Sequence, residues 1–215
     1  IANRGESAAR VIYTCKRGGI ETVAIYSEAD AGAPHTQAAD EAYEVGPAHV
    51  AKSYLDIVKV LEIAEEAGVD AIHPGYGLLS ENPEFVEEVE TSDVVFIGPR
   101  SEVISLMGDK VEARAFAEKA NVPVVPGSEG PVDDVDAAVA FAEEFGYPVL
   151  VKAAAGGGGI GMKIARNEKK LRKAVKSCKR RGKSAFGDDR VYIERYIENP
   201  RHIEIQVIAD NHGSA

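Results

Sequence analysis

At 215 residues, 45% of them hydrophobic, the chain is long enough for one or two globular domains and does not have the composition of a disordered segment. Its 35 acidic and 25 basic residues leave a formal charge of -10, which argues against nucleic acid as a partner. No apolar run reaches the roughly 20 residues that span a bilayer, no basic-then-apolar signal pattern is present, and Cys15 and Cys178 lack any metal-ligand spacing, so a reduced, cytoplasmic setting without a membrane is expected.

The chain opens on Ile1 and Ala2, which read as the remainder of a strand, and reaches the polar turn Asn3 to Glu6 at once. Residues 7 to 17 carry helical periodicity closed by Gly18 and Gly19, and Thr22 to Tyr26 is a β-rich run. Ser53 is the expected cap of a helix bearing Leu55, Ile57, Val58, Leu61, Ile63 and Ala64, which Gly68 ends before a strand at Val69 to Ile72. Pro83 to Glu90 predicts a short helix and Val94 to Ile97 a buried strand. This alternation predicts an α/β fold that begins with an open, mainly parallel domain. Ligands of such sheets bind beyond the carboxyl ends of the strands, where the turns Asn3 to Glu6 and His73 to Glu81 fall. No GxGxxG follows the first strand, so the dinucleotide fingerprint is absent, and Asp30 after the second strand is not assigned a ribose.

A boundary is expected near residues 98 to 108, followed by a charged helix from Asp109 to Ala120 and an extended connector from Val122 to Gly127. The second unit then reads as helix 133 to 145, strands 148 to 153 and 161 to 165, helix 167 to 180, and strands 191 to 197 and 203 to 209. The basic run Lys179, Arg180, Arg181 and Lys183 reads as a solvated helix end. After the turn Asp210 to Gly213 a hairpin partner is expected, so the sequence reads as a piece of a longer protein.

Three stretches carry candidate chemistry. Between Lys152 and Lys163 stand four consecutive glycines, Gly156 to Gly159, flanked closely by strand-like runs. Backbone N–H groups of such a flap can converge on phosphate oxygens. The stretch is not a Walker A loop, because Met162 follows Gly161 and no Ser or Thr follows Lys163. Lys152, inside an apolar strand, calls for an anionic partner, which a nucleotide phosphate would supply. Lys110 opens a helix, where N–H groups also favour anions, and reads equally well as a surface lysine of that helix. The loop His73 to Asn82 carries His73, Tyr76 and Glu81 at a strand end, of which Tyr76 and Glu81 are the better candidates to face a cleft. In Glu194 to Gln206 the polar residues His202, Glu204 and Gln206 recur at period two, opposite Ile203, Ile205 and Val207; one face is core and the other is solvent or a cleft.

The order and spacing of Ile1 to Glu6 (IANRGE), His73 to Asn82 (HPGYGLLSEN), Phe96 to Pro99 (FIGP), Met107 to Val111 (MGDKV), Val122 to Ser128 (VPVVPGS), the glycine flap and Glu198 to Val207 (ENPRHIEIQV) resemble the biotin carboxylase family over essentially the whole chain. The resemblance implies the family's N-terminal α/β domain over 1–97, connecting helices over 98–124, an ATP-grasp lid over 125–196 and the start of an incomplete C-terminal ATP-grasp portion over 197–215. It implies ATP-dependent carboxylation of carrier-bound biotin by bicarbonate through carboxyphosphate, with Mg2+ or Mn2+ held by residues beyond 215. By the same resemblance Lys110 and Lys152 would contact ATP phosphates, Gly158 and Gly159 would close over them, and Glu194, Arg195, Tyr196 and Ile197 would line the adenine. His202 would also contact the nucleotide, Glu204 and Glu81 would lie near the reacting cleft, and Tyr76 near biotin. Implied partners are a biotin carboxyl carrier, a carboxyltransferase component and, in the full-length protein, a second copy; a mitochondrial matrix location would follow for a eukaryotic acyl-CoA carboxylase. Most relatives carry arginine where this chain has Ile160, which removes a charge from the flap, and without the residues beyond 215 the chain alone is expected to be inactive. Two alternatives remain: another ATP-grasp ligase, such as carbamoyl phosphate synthetase, or a catalytically incomplete homologue with a regulatory or assembly role.

Overall fold

The computed structural model describes residues 1–153 and 161–215, apart from the side chains of Lys110, Val111, Ala185 and Phe186. The chain forms two compact units, Ile1–Phe116 and Ala117–Ala215.

The first unit contains α1 (Gly5–Arg17), β1 (Val23–Ser27), α2 (Pro34–Ala38), β2 (Glu41–Gly46), α3 (Ile57–Glu66), β3 (Ala71–Ile72), α4 (Pro83–Glu90), β4 (Val95–Phe96) and α5 (Ser101–Gly108). β1 pairs with β2 and β3 with β4, both in parallel. The residues at the start of the chain join these ladders: the Ile1 nitrogen donates to Val23 O at 2.7 Å and Ala2 N donates to His73 O at 2.9 Å. Ile1 and Ala2 therefore occupy the strand position that the sequence suggests, between β1 and β3, although they do not form a full strand. The core beneath this sheet includes Ala2, Ile25, Tyr54, Ile63, Ile72 and Phe85. Each large apolar side chain there contributes about 1.5–3 kcal/mol by leaving water.

Several local expectations change. Asp56, not Ser53, caps α3, accepting from Lys59 N at 3.1 Å. Ser53 is buried and donates instead to His49 O at 3.1 Å, which leaves Leu55 outside the helix. β2 was not expected, because in EAYEVG only Val45 is buried and the usual apolar alternation is missing. β4 is not a buried strand: Val95 is 58% exposed, since β3 covers one edge and no described strand covers the other.

In the second unit, β5 (Val149–Ala153) lies between β6 (Met162–Ala165) and β7 (Val191–Arg195), antiparallel to both. α7 (Val135–Phe145) and α8 (Glu168–Phe186) pack against one face of this sheet. Val149 and Val151 of β5 and Val191 and Ile193 of β7 point into that core, against Ala138, Ala142, Leu171 and Val175. Side chains alternate along a strand, so Leu150, Lys152, Tyr192, Glu194, Met162 and Ile164 stand on the other face. Asp134 caps α7 by accepting from Asp136 N and Ala137 N, and Asn167 caps α8 by accepting from Lys170 N. α6 (Lys110–Lys119) spans the division between the two units.

α8 continues to Phe186, six residues past the expected end, so the basic run Lys179 to Lys183 lies within its last two turns, with Lys183 in the last. Lys179 Nζ donates to Asp133 O at 2.8 Å. The strand expected at 203 to 209 is absent. No described segment pairs with it, and Ile203, Ile205 and Val207, expected on a buried face, are 79%, 85% and 70% exposed. Alternation supplies an apolar face, but a strand also needs a hydrogen-bonded neighbour to hold it.

Candidate functional site

At the carboxyl end of β3 the chain turns through His73 to Asn82, and this loop is fixed by residues near the start of the chain. The buried Asn3 side chain donates through Nδ2 to both Pro74 O, at 2.7 Å, and Tyr76 O, at 3.0 Å. Gly75 adopts φ +66°, and a Cβ there would come within 2.6 Å of Asn3 Nδ2 and Ser7 Oγ, so only glycine fits. His73 is half-buried; its Nδ1 accepts from Gly75 N at 2.9 Å, and desolvation holds its pKa below the usual histidine value. The ring thereby braces the turn that it opens. Asn82 ends the loop by capping α4 through Phe85 N.

Tyr76 and Glu81 are both exposed on this loop. The Tyr76 hydroxyl donates to the Glu6 carboxylate in the first turn of α1, and this hydrogen bond, with the nearby negative charge, raises the phenol pKa.

Arg4, one residue after Asn3, was not singled out in the sequence. Its guanidinium pairs with Asp30 at 3.3 Å and lies 5.3 Å from the centre of the Tyr54 ring. Asp30 also accepts from Tyr54 OH at 2.7 Å and Ser27 Oγ at 2.9 Å. The Tyr54 bond, then the Ser27 and Arg4 interactions, outweigh desolvation and hold the Asp30 carboxyl below the usual carboxylate range. Burial, then the bond to Asp30, pushes the Tyr54 phenol up to about 12. Asp30 is therefore occupied in holding the strand end together.

In the second unit two of the residues expected at the nucleotide, Lys152 and Glu194, stand together on the sheet face opposite α7 and α8. Lys152 forms an ion pair with Glu194 across β5 and β7, each side chain about one-third exposed. Leu150 lies opposite Glu194 in the ladder, so this contact is a diagonal one. The anion that Lys152 calls for is thus a carboxylate of the same sheet. Met162 and Ile164 of β6 lie beside them and are substantially exposed. β7 ends at Arg195; its N–H donates to Pro126 O at 2.8 Å, and Tyr196 N donates to Pro148 O at 2.9 Å. Ile197 is half-exposed and Glu198 pairs with Arg166. The face offers a lysine, exposed apolar side chains and a strand edge, a combination that suits a nucleotide base and its phosphates.

Lys110 opens α6, but its side chain, together with Gly158, Gly159 and Ile160, lies outside the described residues. His202 and Glu204 are both exposed and pair with each other at 2.8 Å. Among the described residues no group of three or more His, Cys, Asp or Glu side chains could hold a metal ion. Nor is any helix among them long and apolar enough to cross a membrane.

An open parallel α/β unit, followed in the chain by a helix-backed antiparallel sheet whose first two strands flank a glycine run, is the α/β arrangement of the ATP-grasp class. The family profile described as "Biotin carboxylase, N-terminal domain" matches residues 1–104, and "Carbamoyl-phosphate synthase L chain, ATP binding domain" matches residues 109–215. Biotin carboxylase 2 of Bacillus subtilis is 54% identical over 213 residues, covering 99% of this chain and 48% of that protein. The biotin carboxylase of Campylobacter jejuni, solved as a beta-gamma-ATP complex, superposes with a TM-score of 0.81 at 48% identity, over 93% of this chain and 45% of that one. The biotin carboxylase domain of the 2-oxoglutarate carboxylase of Hydrogenobacter thermophilus, solved with MgADP, ADP and bicarbonate, gives 0.77 at 47% identity, over 92% and 44%. The chain belongs to the biotin carboxylase family. It spans about half the length of the relatives it matches.

Proposed function

We propose that the protein containing this chain uses ATP and bicarbonate to carboxylate carrier-bound biotin through a carboxyphosphate intermediate. The observation that carries this reading is Lys152 on the sheet face opposite α7 and α8, beside exposed apolar side chains and the end of β7. Such chemistry asks the protein mainly to hold the polyphosphate in line and to neutralise its charge. Lys152 supplies a cation that need only exchange Glu194 for phosphate oxygens, and Lys110 and the amides of Gly158 and Gly159 would add to it. Glu194 to Ile197 would flank the adenine, and His202 would reach the nucleotide. Tyr76 would lie near biotin, with Glu81 and Glu204 near the reacting cleft. ATP brings Mg2+ or Mn2+ to neutralise its phosphates; no described residue is assigned to that ion, whose ligands are expected beyond residue 215.

In this reading residues 1–97 form the N-terminal domain, 98–124 the connection, 125–196 the lid and 197–215 the start of the remaining ATP-grasp portion. The partners are a biotin carboxyl carrier, a carboxyltransferase component and a second copy of the full-length protein, in the cytoplasm or, for a eukaryotic acyl-CoA carboxylase, the mitochondrial matrix. The 109–215 match to a carbamoyl-phosphate synthase domain supports one other reading, an ATP-grasp ligase acting on a different carboxy- or acyl-phosphate. Titration of the full-length protein with ATP tests the nucleotide assignment. Replacing Lys110 and Lys152 by alanine should weaken binding at least about tenfold, as loss of charge-assisted hydrogen bonds implies, and unchanged affinity would remove both residues from the site.

A further inference from the structure

We infer that Glu6 is a positioning residue for Tyr76, holding the exposed tyrosine ring in one orientation on the biotin side of the cleft. The inference rests on the reading of Tyr76 given above, and its structural half stands on this unit alone. The backbone of Tyr76 is fixed first: Asn3 Nδ2 grips the carbonyls on both sides of Gly75, and Gly75 is wedged against Asn3 and Ser7. The ring itself has no such support, for Tyr76 is 66% exposed. Its hydroxyl donates to Glu6, and no other hydrogen bond holds that side chain among the described residues. Glu6 stands in the first turn of the 13-residue α1, so the acceptor for the Tyr76 hydroxyl is carried on a regular helix and not on a loop.

The pair is too exposed to matter much to folding, since surface contacts of this kind contribute little to stability. What it can do is remove rotational freedom from Tyr76 before a ligand arrives, which lowers the entropy lost on binding. Asn3, Glu6 and Ser7 come from the start of the chain and the first turn of α1, so one short segment sets both the backbone and the ring of Tyr76.

The test uses the full-length protein and free biotin. Glu6→Ala should raise KM for biotin about 5- to 10-fold, with a smaller effect on KM for ATP, whereas Glu6→Gln, which keeps an acceptor, should stay within about 2-fold. Glu6→Ala combined with Tyr76→Phe should be no worse than Tyr76→Phe alone, because residues that act through one contact are not additive. An unchanged biotin KM in Glu6→Ala, or effects that multiply in the double variant, would overturn the inference. The tyrosine titration, followed by NMR with ring-labelled tyrosine, separates the two layers of the argument. The Tyr76 phenol should titrate above the ordinary tyrosine value and fall toward it in Glu6→Ala. A wild-type protein that shows this titration yet no response to biotin would remove the biotin role while leaving the pair intact. A phenol that titrates alike in wild type and Glu6→Ala would remove the pair itself.

Discussion

Lys152 and Glu194 neutralise each other across β5 and β7 on the one sheet face that α7 and α8 do not cover. A lysine in that position must give up its carboxylate before it can take a phosphate, so the pair is at once a local anchor and a competitor of the nucleotide. Both side chains are about one-third exposed, and the contact should add no more than about 1 kcal/mol to stability. Lys152→Met should therefore leave the urea midpoint of the chain nearly unchanged. In the full-length protein it should weaken ATP binding about tenfold or more by isothermal titration, because the hydrogen bonds it loses are to charged oxygens.

Acid sensitivity should centre on Asp30. Its carboxyl is held below the usual value of 3.8, mainly by Tyr54, and a depressed carboxylate stabilises the fold above its unfolded pKa. That contribution is lost as pH falls through the lower, folded value. Tyr54→Phe leaves the buried Ser27 N–H without its acceptor and removes a donor to Asp30, at a cost of about 1.5–3 kcal/mol. Denaturation at pH 7 and at pH 3 should show the variant closer to wild type at pH 3, where part of the Asp30 contribution has already gone.

Gly75 and Gly77 share almost the same backbone angle, φ +66° and +65°, yet they should respond differently to alanine. At Gly77 the new methyl meets open space, so the cost is that of a left-handed residue, about 1–2 kcal/mol. At Gly75 it also collides with Asn3 and Ser7, which raises the cost to about 2–4 kcal/mol. Thermal unfolding of the two variants measures the difference directly, and equal losses would mean that Asn3 does not seat the loop.

Ile205 tests the segment after β7. It is 85% exposed, so Ile205→Ser should change the stability of the 215-residue chain by less than about 0.5 kcal/mol in chemical denaturation.

Periodicity reaches the elements whose hydrophobic pattern is local. α1, α4, α7 and the β5–β6 hairpin are legible because their apolar spacing and their caps or breakers lie within a few residues of each other. β2 is hidden because an edge strand with one buried residue leaves little pattern. The segment 203 to 209 misleads for the opposite reason: residues 202 to 207 alternate polar and apolar, yet no segment among the described residues pairs with them. Of the proposed site residues, Lys152 and Tyr76 are singled out by residue type and place, and Glu194 by the family resemblance. Asn3, Arg4 and Glu6 are not, since their partners Pro74, Asp30 and Tyr76 stand 71, 26 and 70 positions away, and a single sequence carries no trace of such contacts.

Phosphate release from ATP by the full-length polypeptide, measured with and without bicarbonate and free biotin, tests most directly whether the site belongs to an ATP-dependent biotin carboxylase. The account predicts release that requires bicarbonate and rises when biotin is added. Release that ignores biotin, or that needs a different acceptor in place of bicarbonate, would contradict it and assign the chain to another ATP-grasp ligase.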